Sequence, residues 1–141
     1  MSQMQSGKGD VLSCRAGETL TAFSVVTIDS GSTTGLHVTP WVTDTQVIIG
    51  VCLSGASSTG ESVDVLLAAP TSKVRVGSVD IAAGDLVGPQ TDNAGQITTR
   101  ANPGTVTTAM VPSLGIALAA GSVSSIIEVL LQPLSQRPSD G

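Results

Sequence analysis

The chain of 141 residues contains one Trp, one Phe and no Tyr. A core without aromatics must be filled by Val, Ile, Leu and Ala, and the β-branched share of that set favours short strands. Charge is also scarce, with six Lys and Arg against eleven Asp and Glu, a net charge of −5. Phosphate backbones are gripped by basic stripes, so nucleic acid is not an expected partner. Low charge with a mean hydropathy of +0.33 implies that part of the surface is covered, most simply by an oligomer or a docked subunit. No run reaches the roughly 18 apolar residues of a membrane span, so no membrane partner is expected. Met1 to Asp10 is polar and lacks an apolar signal core, which argues against export by the Sec route.

The side chains of catalysis are equally thin. His37 is the only His, and no Ser-His-Asp or Cys-His set accompanies it. Cys14 and Cys52 allow at most one disulfide and form no CxxC pattern, so they read as two reduced, small apolar side chains. Asp92-Asn93-Ala94-Gly95 has a fragment of calcium-loop character without the further acids, and it reads as a turn. No phosphate-cradling GxxxxGK[ST] or Rossmann glycine pattern occurs. The expectation is a protein that is not an enzyme, with no catalytic, cofactor-binding or metal residues.

Small residues and repetition take the place of chemistry. There are 16 Gly and 7 Pro, which punctuate short apolar runs. Ile49-Gly50-Val51-Cys52-Leu53 followed by Val63-Asp64-Val65-Leu66-Leu67 is matched by Leu114-Gly115-Ile116-Ala117-Leu118 followed by Ile127-Glu128-Val129-Leu130-Leu131. The offsets are 115 − 50 = 65 and 127 − 63 = 64. Ala16-Gly17-Glu18 and Ala83-Gly84-Asp85 supply a third pair, offset 84 − 17 = 67. Three ordered blocks at nearly one spacing predict an internal duplication, about 16–67 and 79–131. Within it, Asp64 and Glu128 become equivalent outward positions on two strands instead of a catalytic pair. Glu18 and Asp85 become equivalent turn carboxylates.

No segment carries a 3.6-residue apolar stripe, so the fold class is all-β with little helix, a compact barrel or sandwich of two duplicated lobes. Val25 to Ile28 and Leu36 to Thr39 read as a hairpin around a Ser/Gly loop. Lys73 to Val76 reads as a bridge between the copies. The organisation is a flexible arm over 1–13, one β domain over 14–132 and a flexible tail over 133–141. Ordering the polar arm costs about 1–2 kcal/mol per residue, so it orders only against a partner. Trp41, close to His37, marks a possible subunit or partner contact, with the anchoring of a lobe as the simpler role.

The blocks Ala16 to Ser30, Ile49 to Val51, Gly60 to Val65, Ala82 to Val87 and Leu114 to Ala117 together resemble the small capsid decoration (cement) proteins of tailed bacteriophages. The resemblance implies a β-tulip-like body that forms homotrimers on the outer surface of the icosahedral head, after assembly in the host cytoplasm. There it would bridge major capsid protein subunits and stabilise the capsid. It also implies capsid binding by the N-terminal arm, carried here by Ser2, Gln3, Met4, Gln5, Ser6, Lys8, Asp10, Val11 and Leu12. A fibre, spike or tail subunit with a receptor- or glycan-binding face around Trp41 and His37 is the alternative.

Overall fold

The computed structural model describes residues 10–31, 35–43, 46–91, 93–99 and 113–131. These form ten strands and no helix: β1 (Asp10–Ala16), β2 (Val25–Ile28), β3 (His37–Pro40), β4 (Gly50–Cys52), β5 (Ser62–Ala68), β6 (Thr71–Arg75), β7 (Leu86–Pro89), β8 (Ile97–Thr99), β9 (Gly115–Ala117) and β10 (Ile126–Leu131). The all-β class read from the sequence is the class observed. β1 to β5 close into a barrel in the order β1-β3-β2-β4-β5, and β6 to β10 form a second sheet in the order β6-β10-β9-β7-β8.

The two sheets follow one wiring. Antiparallel pairs β2–β3, β2–β4 and β4–β5 in the first lobe correspond to β7–β8, β7–β9 and β9–β10 in the second. β1 pairs with β5 as β6 pairs with β10. Closure differs. β1 and β3 run parallel through Arg15 and Ala16 against His37 and Val38, whereas β6 meets β8 only at the bridge Val76–Ile97.

This wiring moves the expected boundaries of the repeat. β1 and β6 are counterparts, so the units begin at Asp10 and Thr71 rather than near residues 16 and 79. Lys73 to Val76 is the opening of the second copy and not a bridge. Asp10 to Ser13, expected within the arm over 1–13, pair with β5; the rest of that arm, residues 1–9, lies outside the described residues.

The turns were also misaligned by the sequence. Gly17 has Gly77 as its counterpart: each amide donates at 2.8 Å, to the carbonyls of Val38 and Ile97 respectively. Gly84, at φ +92, corresponds instead to Phe23 at φ +66. A residue of positive φ stands at the same place in two further turns, Gly60 at φ +93 and Ser124 at φ +68. Such a φ at the third turn position defines a type II turn and favours glycine. Each lobe clamps its pair of turns with reciprocal backbone hydrogen bonds, Leu20 with Ala56 at 2.9 Å both ways and Ile81 with Gly121 at 2.8 Å both ways.

Strand alternation fills each interior. Cys14, Ala16, Leu20, Val26, Val38, Cys52, Ala56, Val63 and Val65 make up the core of the first barrel. The second core contains Val74, Val76, Val87, Ile97, Ile127 and Val129 together with Val25, Trp41 and Val51 from the outer face of the first lobe. The lobes therefore share a core, and the first lobe supplies its aromatic.

Candidate functional site

The lobe junction explains why the second sheet stays open. The segment Phe23–Val25 wedges between β6 and β8. The Arg75 amide donates to the Phe23 carbonyl at 3.0 Å, and the Val25 amide donates to the Gly95 carbonyl at 2.7 Å. The Gly95 amide in turn donates to the Trp41 carbonyl at 2.9 Å. Trp41 is 0% exposed, and its indole Nε1 donates to the Gln46 carbonyl at 3.1 Å. The sole Trp is a lobe anchor. A receptor-, glycan- or subunit-binding face built on its ring is corrected by this burial, since no ring surface reaches solvent.

His37 stands four residues away, about 13 Å along an extended strand, and the structure does not bring it to Trp41. It opens β3, half-buried, with Nδ1 3.3 Å from the Gly35 carbonyl. Asp64 and Glu128 are exposed on separate lobes, opposite Ser13 and Lys73 in register. Asp85 accepts the Ala82 amide at 2.9 Å inside its turn. Glu61 does the same for the turn before β5, taking the Ser57 hydroxyl at 2.7 Å and the Ser58 hydroxyl at 2.9 Å, which holds its carboxyl below the usual range. Asp85 and Glu61 organise turns. Among the described residues no group of His, Cys, Asp or Glu is clustered to hold a metal ion.

Cys14 and Cys52 are free and buried in the first barrel, where burial pushes both thiols up. They flank β5, opposite Val63 and Val65. Backbone hydrogen bonds at Ser24, Cys52 and Phe23 pull the Cys52 thiol back down in part, with a smaller pull from the Arg75 charge.

Of the expected capsid-binding residues, Ser2, Gln3, Met4, Gln5, Ser6 and Lys8 lie outside the described residues. Asp10, Val11 and Leu12 are exposed on β1. This half of β1 pairs with β5, while its pairing with β3 begins only at Arg15. Among the described residues its other edge pairs with no strand before Arg15, which would suit an added strand.

Leu12 also belongs to a feature that the sequence reading missed. By the two-residue alternation of strands, Leu12 continues the inward row of Cys14 and Ala16, Ile28 that of Val26, and Leu36 that of Val38. β1 and β3 start at this end of the barrel and β2 finishes there. These three aliphatic side chains are 38%, 49% and 38% exposed. Leu67, the extra residue of the β-bulge opposite Asp10 and Val11, is exposed at the same end. Among the described residues, one end of the first barrel is thus an apolar rim with exposed side chains. The available signal was the position of Ile28 and Leu36, each two residues from a β-branched residue that alternation places inside.

No protein-family profile matches the chain, and no curated protein matches it. Among solved structures, the chain is similar in fold to the head fiber gp8.5 N base of bacteriophage phi29, with 14% identity and a TM-score of 0.66 over 89% of this chain and 96% of that one.

Proposed function

We propose that this protein is a non-enzymatic structural component of a tailed-phage virion. It decorates the outer surface of the head and bridges major capsid protein subunits as a trimer. The observation that carries the reading is the match of nearly the whole two-lobed body to a phage head-fibre base, 89% of this chain against 96% of that one. Composition and surface support it: few charges, turn-bound acids, a β1 edge unpaired before Arg15 among the described residues and an apolar barrel rim suit docking better than turnover. Weak contacts from each protomer add through avidity when three engage together. Strand addition on the β1 edge would supply affinity through backbone hydrogen bonds without a specialised arm sequence.

The same fold match favours a second reading, in which the body is the base of a head fibre and does not act as cement. That reading does not need the Trp41 face. Heads produced without the protein separate the two. A cement role predicts heads that rupture at lower temperature and recover when purified protein is added back in stoichiometric amount. A fibre base predicts heads of unchanged stability that still bind the added protein. Failure to cosediment with heads removes both.

A further inference from the structure

The two lobes are not equally covered, and the difference has a direction. In the first lobe, Val25, Val51 and Leu66 form a row across three neighbouring strands, set by the register pairs Val25–Val51 and Val51–Leu66. All three are buried, although they lie on the outer face of their barrel. The second lobe packs against Val25 and Val51. The equivalent row on the second lobe is Leu86, Ile116 and Leu130, set by the pairs Leu86–Ile116 and Ile116–Leu130. These side chains, larger than their counterparts at Leu86 and Ile116 and the same at Leu130, are only half-buried.

The barrel ends show the opposite asymmetry. The positions that correspond to Leu12, Ile28 and Leu36 are Ser72, Pro89 and Gly95, and all three are buried. The first lobe covers that end through Phe23–Val25 and Trp41. Among the described residues, each molecule therefore offers one half-buried donor row and one acceptor end with exposed side chains. The pair between them is already built once inside the chain.

We propose that a second copy of this chain occupies the acceptor end of the first barrel, packing its Leu86–Ile116–Leu130 row over the Leu12, Ile28 and Leu36 rim. The contact uses the counterparts of the surfaces that meet between the lobes, in the same order, without the seam that Phe23–Val25 fills. Such a contact is heterologous, and heterologous contacts close into rings when the rotation allows. With the trimer of the reading above, the ring would hold three chains and six lobes in head-to-tail order; that ring size rests on the trimeric reading, whereas the contact itself does not. Leu36 replaces Gly95, and a Cβ at Gly95 would meet the Ser24 Cβ at 2.7 Å. The neighbouring sheet therefore lies across the rim and leaves the 3.1 Å bond from the Arg15 amide to the Leu36 carbonyl in place.

A cysteine pair tests this directly. Leu36 and Leu86 are the counterparts of Gly95 and Val25, which meet through a 2.7 Å hydrogen bond in the chain. The native thiols are buried and leave the new pair as the reactive one. Oxidised L36C/L86C protein is expected to give covalent species that stop at three chains. An equimolar mixture of the two single variants is expected to stop at two. Ile116→Asp is expected to lower the native mass threefold, with the circular dichroism spectrum and unfolding midpoint retained. A trimeric native mass without crosslinks overturns the proposed contact and leaves the trimer standing. A monomeric wild-type mass at working concentration overturns both. A ladder extending past three overturns the closed ring.

Discussion

Gly95 lies so close to Ser24 that a Cβ added to it would come within 2.7 Å of the Ser24 Cβ, and its φ is +77. The two residues sit on opposite sides of the lobe junction, where the segment around Ser24 fills the seam of the second sheet. Gly95→Ala thus combines backbone strain with an overlap that neither lobe can relax alone. The expected loss is about 2–4 kcal/mol, read from urea unfolding. Gly84 also has positive φ, +92, but nothing lies within 4 Å of its added Cβ. Gly84→Ala should cost only the strain, about 1–2 kcal/mol. Equal losses at the two sites would show that the junction is looser than described.

The indole of Trp41 binds the lobes together from inside. Trp41→Ala is expected to cost about 3–5 kcal/mol, a large part of the stability of a domain this size. The intact protein should show blue-shifted fluorescence that iodide barely quenches. A glycan-binding surface would require the reverse, an exposed, quenchable ring whose removal leaves stability unchanged.

Truncation distinguishes the arm from the barrel. Removing residues 1–9 leaves every register pair of β1 intact, so the protein should fold with an unchanged unfolding midpoint. Removing residues 1–13 also deletes the pairs of Asp10, Val11, Leu12 and Ser13 with β5. It should lower the midpoint and expose the Cys14 thiol to an aromatic disulfide reagent.

Glu61 gives a pH signature. Hydroxyls of Ser57 and Ser58 favour its charged form, so its folded value lies below its ordinary one. The associated stability is present above the ordinary glutamate value and is lost as pH falls through the lowered folded value. Carboxyl titration by NMR should place Glu61 below the ordinary glutamate value. Replacing Ser57 and Ser58 together by Ala should move it back up. A Glu61 titration unaffected by that double change would remove the assignment.

Much of the body was legible because alternation and repeated glycines report local constraints. Gly50 and Gly115 do start equivalent strands, and Asp64 and Glu128 do occupy equivalent exposed positions. The turn register was not legible, because of the four equivalent turns that carry a positive φ, one has it at Phe23 and another at Ser124. Neither residue type signals that conformation, so the sequence aligns Gly84 with Gly17, leaves β1 out of the first copy and makes Lys73 to Val76 a bridge instead of the opening of the second. Trp41 was readable as an anchor, though not the seam it closes, since that depends on a close approach between Gly95 and Ser24 separated by 71 residues (95 − 24). The apolar rim escaped notice for a related reason. Leu12, Ile28 and Leu36 are ordinary strand residues until the barrel closes and leaves their side chains exposed at one end.

The central claim is a place on the phage head, and cryo-electron microscopy of the particle that carries this protein tests it most directly. The account predicts two-lobed β density on the outer head surface at three-fold and quasi-three-fold positions, touching major capsid protein subunits around each axis. Density confined to the tail or to a vertex, with those positions bare, would contradict it.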